Sequence, residues 1–174
     1  MPAETKDCSL FDAIYQRRSV RHFSDTPVDR NVVLEALKAA SWAPSGLNNQ
    51  PWRFAIVRDP EIKNRIAGLT RYATTIRAAS VLVAAFLDHD ASYDYTKDCQ
   101  AIGAALQNLL LAVHGQGLGA VWIGEILKNK DQVRTVLELP ERLELMAVIA
   151  IGHPAHTRQQ SQRRPVEELI VYEH

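Results

Sequence analysis

The chain has 174 residues, 47% of them hydrophobic and 23% charged, with 20 Lys plus Arg against 20 Asp plus Glu. For that length the surface scaling gives about 8,500 Å² accessible when folded against about 28,000 Å² unfolded, so residues 1–174 can bury roughly 70% of their surface in one domain. Zero formal charge argues against a general nucleic-acid binder, whose affinity needs excess Lys and Arg. The average composition excludes disorder, collagen-like repeats and coiled coil, and any anion site has to be local.

Ser9 before Leu10, Phe11 and Asp12 gives a capped start for a short helix with Phe11 and Ile14 on one face, ending in a basic turn at Arg17. Asp29 after Pro27 caps a second helix to about Ala40, with Val33, Leu37 and Ala40 at helical spacing. Ser41 to Trp52, SWAPSGLNNQPW, is dense in Pro, Ser, Gly and Asn and reads as a loop. Arg53 to Val57 is a strand, and Asp59 with Pro60 opens a helix over Glu61 to Ala67. Ser80 to Leu87, SVLVAAFL, is a strand buried on both faces.

The longest periodic segment runs from about Thr96 to His114, where Ile102, Leu106, Leu109, Leu110 and Val113 form a wide apolar stripe; Gly115 and Gly117 stop it. Ala120 to Ile123 is a short strand, Asp131 to Leu137 a helix, and Glu144 to Ile151 an alternating strand that Gly152 and Pro154 end. Pro165 to Tyr172 fits helix or strand. Strands separated by helices give an α+β or α/β sandwich.

Two cysteines, Cys8 and Cys99, make no disulfide framework, CxxC pair or metal cluster. Residues 1–9 are a short polar extension lacking the features of a signal peptide, and no apolar run reaches membrane-spanning length. These features predict a cytoplasmic protein with no membrane contact.

Four stretches carry candidate chemistry. In RRSVRHF, Arg17, Arg18 and Arg21 flank Ser19 with no acid between Asp12 and Asp25; forked cationic donors and a hydroxyl suit a phosphate, while a solvated basic turn is the plain alternative. In PSGLNNQPW, Pro44 and Pro51 stiffen a loop in which Gly46 allows close backbone approach. Its Ser45, Asn48, Asn49 and Gln50 suit a heterocycle edge, or else cap their own turns. In GQGLGAVWIGE, Gly115, Gly117 and Ala120 formally satisfy GxGxxA, but that fingerprint must follow a strand and open a helix; the order here is reversed, which excludes a Rossmann site. Ile123 and Gly124 end the strand and either offer backbone N–H groups to a ligand or simply close a core strand. In QSQRRPVEEL, Arg163 and Arg164 complete the first cluster if the tail folds back.

Other residues offer less. His153 and His156 lack a carboxylate or Cys neighbour, which argues against zinc, and no metal is expected. His114 reads as a core or boundary histidine. Asp98 and Glu125 are candidate acids or bases whose partners the spacing does not show, and neither Ser19 nor Ser45 sits in a GxSxG elbow.

Taken in order, RRSVRHF, PSGLNNQPWRF, AIGAALQNLLLAVHGQGLGAVWIGE and IAIGHP followed by RRPVEEL resemble the FMN-dependent nitroreductase family from Phe11 to about Ile170. The resemblance implies an α+β three-layer sandwich, its central, mostly antiparallel sheet flanked by helices. It implies an intertwined homodimer with two FMN molecules at the subunit interface and residues 158–174 as a C-terminal arm. Arg17, Ser19 and Arg163 are implied at the FMN phosphate with Arg18 close by, and Arg21 at the pyrimidine side of the ring, stabilising reduced flavin. Pro44, Ser45, Gly46 and Asn48 resemble the loop that reaches the flavin from the partner subunit, and Ile123 and Gly124 the segment whose backbone meets it.

The implied activity is ping-pong transfer from NADH or NADPH to nitroaromatics, quinones or similar small-molecule acceptors. No catalytic side chain is required, because the flavin carries the chemistry. The alternatives are a non-catalytic flavin or phosphoanion binding module, or dehalogenation, dehydrogenation or flavin fragmentation on the same scaffold. The sequence departs from the family pattern at RYATTIRAAS, where Tyr72 and Thr75 stand near the places of polar or basic ring contacts. The chain is also too short for a large lid insertion, so acceptor choice is expected from residues 87–97 and the partner chain.

Overall fold

The computed structural model describes residues 9–174, so Cys8 and all of the polar extension except Ser9 lie outside the described residues. In chain order the elements are α1 (Leu10–Gln16), α2 (Arg30–Ser41), β1 (Trp52–Val57), α3 (Pro60–Ala67), α4 (Ala73–Ala78), β2 (Val81–Asp88), α5 (Tyr95–Gly115), β3 (Gly119–Ile123), α6 (Lys130–Val136) and β4 (Leu143–Gly152). Short 3₁₀ turns occupy Gly46–Asn48, His89–Ala91, Glu125–Asn129 and Val166–Leu169.

Side-chain caps set the helix starts. Ser9 accepts from Asp12 N, Asp29 from Asn31 N, Asp59 from Glu61 N and Ile62 N, and Asp94 from Lys97 N, each satisfying an N–H that has no partner within the helix. The sequence pattern does not anticipate α4. Its six residues, ATTIRA, carry three β-branched side chains of modest helix propensity, and buried Ile76 holds it against the core.

The strands form one antiparallel sheet in the order β1-β2-β4-β3. All of β2 is buried because alternate residues feed opposite cores. Val81, Val83, Ala85 and Leu87 cluster with Val33 and Ala36 of α2 and Leu106 and Leu109 of α5. Leu82, Ala84 and Phe86 cluster with Ile66 of α3, Ile76 of α4 and Val133 of α6. Two helical layers therefore enclose the sheet, the three-layer α+β arrangement expected. A bulge between Ala85 and Phe86 switches the parity of β4, so that Ala147, Ile149 and Ile151 join the first core and Leu143 and Leu145 the second.

The stretch after α1 is an extended strap, which corrects its reading as a basic turn. It runs beside β3 at the sheet edge, with a parallel bridge from Ser19 to Ala120 and an antiparallel one from Phe23 to Pro154. Val20 N donates to Ala120 O at 2.9 Å, and Ser24 N to His153 O at 2.9 Å. A peptide donor left unpaired beside an edge strand would be costly, and the strap pairs with that edge.

Two glycines seat the strap. Gly119 and Gly152 are cross-strand partners. A Cβ on Gly119 would lie 2.8 Å from the Val20 side chain, and one on Gly152 2.8 Å from the Phe23 ring. Neither glycine has a positive φ, so what each contributes is space. Val20 and Phe23 fill that notch and are buried.

Elsewhere apolar residues stay on the surface. Of α1 only Ala13 is buried, while Phe11 and Ile14, expected to pack, are exposed together with Leu10 and Tyr15. Pro165 to Tyr172 forms neither the helix nor the strand its pattern allows, only the 3₁₀ turn at Val166–Leu169, and its apolar side chains are exposed. Among the described residues no helix is long and apolar enough to cross a membrane.

Gly152→Ala should push Phe23 out of its seat and cost about 1–3 kcal/mol, the usual range for an overpacked site. The urea midpoint at unchanged slope reads it, and Gly119→Ala should move in the same direction.

Candidate functional site

The strap begins where α1 ends, which places three arginines and a serine along the sheet edge. Arg17 caps α1, its N–H donating to Ala13 O. Arg18 Nη1 donates to Tyr15 O at 2.6 Å and to Arg17 O at 2.9 Å, placing a cation at the negative end of the helix. Ser19 is half-buried at the bridge, Val20 faces inward and Arg21 is exposed, the alternation of an extended chain.

Arg163 reaches this cluster from the tail, near enough for its charge to act on Arg17. Burial, then the guanidinium of Arg163, then that of Arg18 push the pKa of Arg17 below the ordinary arginine value. The Nε groups of Arg17 and Arg18 are buried without a hydrogen-bond partner. Among the described residues no Asp or Glu pairs with Arg17, Arg18, Arg21 or Arg163. Asp88 is held by Arg53 and Arg142, Glu144 by His89 and Lys130, and Glu125 by Lys128. His114, in the last turn of α5, belongs to the same neighbourhood. Its burial, with the charges of Arg17 and Arg18, lowers its pKa and keeps the imidazole neutral at neutral pH.

A second group surrounds the other end of α5. Leu47, Asn48 and Gln50 have φ of 55°, 53° and 48°, a left-handed conformation disfavoured for side chains other than Gly, Asn and Asp. Asn49 pins this loop, its Nδ2 donating to Asp98 Oδ1 at 2.7 Å and to Ala91 O at 3.0 Å. Gln50 N donates to Ser45 Oγ at 3.1 Å. Fully buried Asp98 also accepts from Ser92 Oγ at 2.6 Å, Tyr93 N at 3.1 Å and Asp94 N at 3.3 Å. Burial raises its carboxyl pKa, but the bonds from Ser92, Asn49 and the two N–H groups outweigh that and leave it below the usual value. Asp98 is thus an anchor that ties two loops together, rather than an acid or base.

Gly46 likewise departs from its expected use. The space where its Cβ would stand is taken by the Tyr93 hydroxyl. Tyr93 and Lys97, within the 87–97 stretch expected to bear on acceptor choice, and Gln100, which was not a candidate in the sequence, line an open groove of about 310 Å³ with Pro44, Ser45 and Gly46. Their signal was present as a helix face at positions 97, 100, 101 and 104, offset from the apolar stripe.

The remaining candidates sit between these regions or apart from them. Ile123 is buried and Gly124 half-buried at the end of β3, so Ile123 can offer a ligand only its backbone. Glu125 accepts from Thr70 Oγ1 and from Arg71 N. Hydrogen bonds from Lys128 and Thr70, opposed by burial, bring its pKa down to about 2, so it holds no proton to donate at neutral pH. Thr75 is buried inside α4, and Tyr72 stacks beneath the Arg71 guanidinium. His22 and His156 lie with ring centroids 5.6 Å apart where strap and tail meet, and among the described residues no three potential metal ligands are grouped.

One chain does not bring the two groups together. Asn49 docks at Asp98 and the arginine cluster at His114. Sixteen helical residues separate those positions, about 24 Å at 1.5 Å per residue.

The strapped edge of this three-layer α+β sandwich gathers guanidiniums that, among the described residues, have no acidic partner. The Nitroreductase family model matches residues 14–75 and 68–153. A Desulfovibrio desulfuricans structure named as a nitroreductase in complex with FMN is 46% identical, covers 97% of this chain and 99% of that one, and superposes with a TM-score of 0.92. A Bacteroides thetaiotaomicron structure named as an NADH dehydrogenase/NAD(P)H nitroreductase is 32% identical over 93% of this chain and 95% of that one, with a TM-score of 0.85. An Archaeoglobus fulgidus protein of the same name is 34% identical over 81% of this chain and 83% of its own length. The chain belongs to the nitroreductase family.

Asp98→Asn should cost about 2–3 kcal/mol, the scale of hydrogen bonds to a charged group. Because the folded pKa of Asp98 is depressed, its contribution is complete above the unfolded carboxyl value of about 4 and is lost as pH falls through the lowered value. Urea titrations should therefore show the wild-type advantage at pH 7 shrinking on acidification.

Proposed function

We propose that the chain is an FMN-dependent NAD(P)H oxidoreductase, active as a homodimer on electron-poor small molecules such as nitroaromatics and quinones. The observation that carries this reading is the cluster of Arg17, Arg18 and Arg163, whose like charges act on one another and to which no carboxylate among the described residues is paired. A phosphate monoester offsets that repulsion and accepts from the guanidinium N–H groups that remain accessible.

In this reading Arg17, Arg163 and Ser19 hold the phosphate, with Arg18 fixed close by through the carbonyls of α1. Arg21, exposed on the strap, presents a fixed positive charge to the pyrimidine side and favours the reduced, anionic cofactor. Ile123 and Gly124 supply backbone where the ring ends. FMN held by these residues would supply the two-electron chemistry that carries a hydride equivalent from NADH or NADPH to an acceptor. Donor and acceptor using the same site in turn would give ping-pong kinetics.

The dimer is supported by two features. The Pro44–Gly46 loop lies beside Ala101 and Ala104, about 15–20 Å along α5 from His114 and its own arginine cluster, a separation that suits a site shared with a second copy. The chain exposes 10888 Å², well above the roughly 8,500 Å² expected of a compact monomer of this length. Leu10, Phe11, Tyr15, Val171 and Tyr172 contribute to that exposed surface, which suits a tail that wraps a partner. Free Cys99 fits a reducing, cytoplasmic setting.

Arg17→Ala should weaken FMN binding at least about tenfold, given about 1.5–3 kcal/mol for a hydrogen bond to a charged group. Flavin per subunit after gel filtration measures this, and full occupancy in the variant would refute the phosphate assignment. Anaerobic mixing separates enzyme from binding module: bleaching by NADH or NADPH with recovery on adding a quinone is expected, and no bleaching with either nucleotide would favour the module.

A further inference from the structure

We propose that the groove between Pro44–Gly46 and the first turns of α5 selects the acceptor, favouring planar aromatic acceptors that carry an anionic substituent; this deepens the oxidoreductase reading and rests on it. The groove is about 310 Å³, at the small end of ligand pockets. It suits one substituted aromatic ring.

Its shape follows from small side chains. Ala101 and Ala104, three residues apart on α5, make a flat floor, and Pro44 makes an apolar wall. Tyr93 packs against the loop, its hydroxyl in the space that Gly46 leaves empty, and its backbone N–H is fixed on buried Asp98. A flat slot with an aromatic wall favours a planar ring.

Its charge follows from Lys97. The Nζ stands 5.1 Å from the Tyr93 ring centroid, a cation held at an aromatic face. Its carboxylate neighbour is Asp94 at 4.0 Å, both side chains largely exposed, an arrangement that neutralises little. Asp94 is further engaged in capping α5. Asp98 is fully buried and committed to four donors, so it opposes an incoming anion only at a distance. The Ser45 hydroxyl accepts from Gln50 N and keeps its proton to donate. The ammonium thus supplies the positive end of the slot, and Ser45 and the Gln100 amide supply neutral donors beside it.

The test uses the FMN-loaded protein with 4-nitrobenzoate and its neutral isostere 4-nitrobenzamide. Lys97→Gln should lower the ratio of kcat/KM for the acid over the amide by about tenfold, mainly through KM, since that is the scale of one charge-assisted contact. Lys97→Glu should lower it further, and Lys97→Arg should restore it. A second readout is equilibrium binding of unreactive benzoate by calorimetry, where Lys97→Gln should raise Kd by a similar factor. Equal losses for acid and amide, or a benzoate Kd that ignores residue 97, would overturn the proposal while leaving the oxidoreductase reading intact. Wild-type protein that holds no FMN, or that neither nucleotide reduces, would overturn that reading and this proposal with it.

Discussion

Gly119 and Gly152 face one another across the last two strands of the sheet, and the missing side chains let Val20 and Phe23 sit against the edge. That contact sets the path of the strap and therefore the position of every guanidinium on it. With Val20 turned inward, Arg21 must turn outward and Ser19 must meet Ala120. The arginines hold their mutual repulsion because the strap is bonded to β3 on one side and α1 supplies carbonyl acceptors on the other. In the proposed reading an anionic ligand relieves that repulsion.

The central helix organises the rest. One end of α5 meets the arginine cluster through His114, and the other meets the strained loop through Asp98. Its length keeps these groups apart within the chain. Apolar residues of α1 and the tail are exposed, which in the proposed reading suits a contact with a second copy.

Much of this was legible in the sequence where local rules decide. The caps at Ser9, Asp29 and Asp59, the doubly buried β2 and the long stripe of α5 all follow from periodicity and capping chemistry. α4 was not legible because its six residues have weak intrinsic preference and depend on Ile76 finding the core. By composition RRSVRHF suited either an anion site or a solvated basic turn, and its reading as a turn failed because extended strap and turn share that composition until an edge strand is there to pair with. Gly46 was expected to admit a ligand, yet it admits Tyr93, a residue 47 positions away that no local pattern connects to it.

The chain's even balance of 20 acids and 20 bases already excluded a global cationic surface and required any anion site to be local, because long-range attraction depends on net charge. The order of residues along the chain also determined the helix starts, the buried strands and the family motifs, all of which are properties of neighbours in sequence. Only the tertiary structure decided which charges remain unpaired. Ion pairing depends on distance in space, and the fold gives Asp88, Glu125 and Glu144 to other cations while drawing Arg163 back to Arg17 and leaving that cluster without an acid among the described residues.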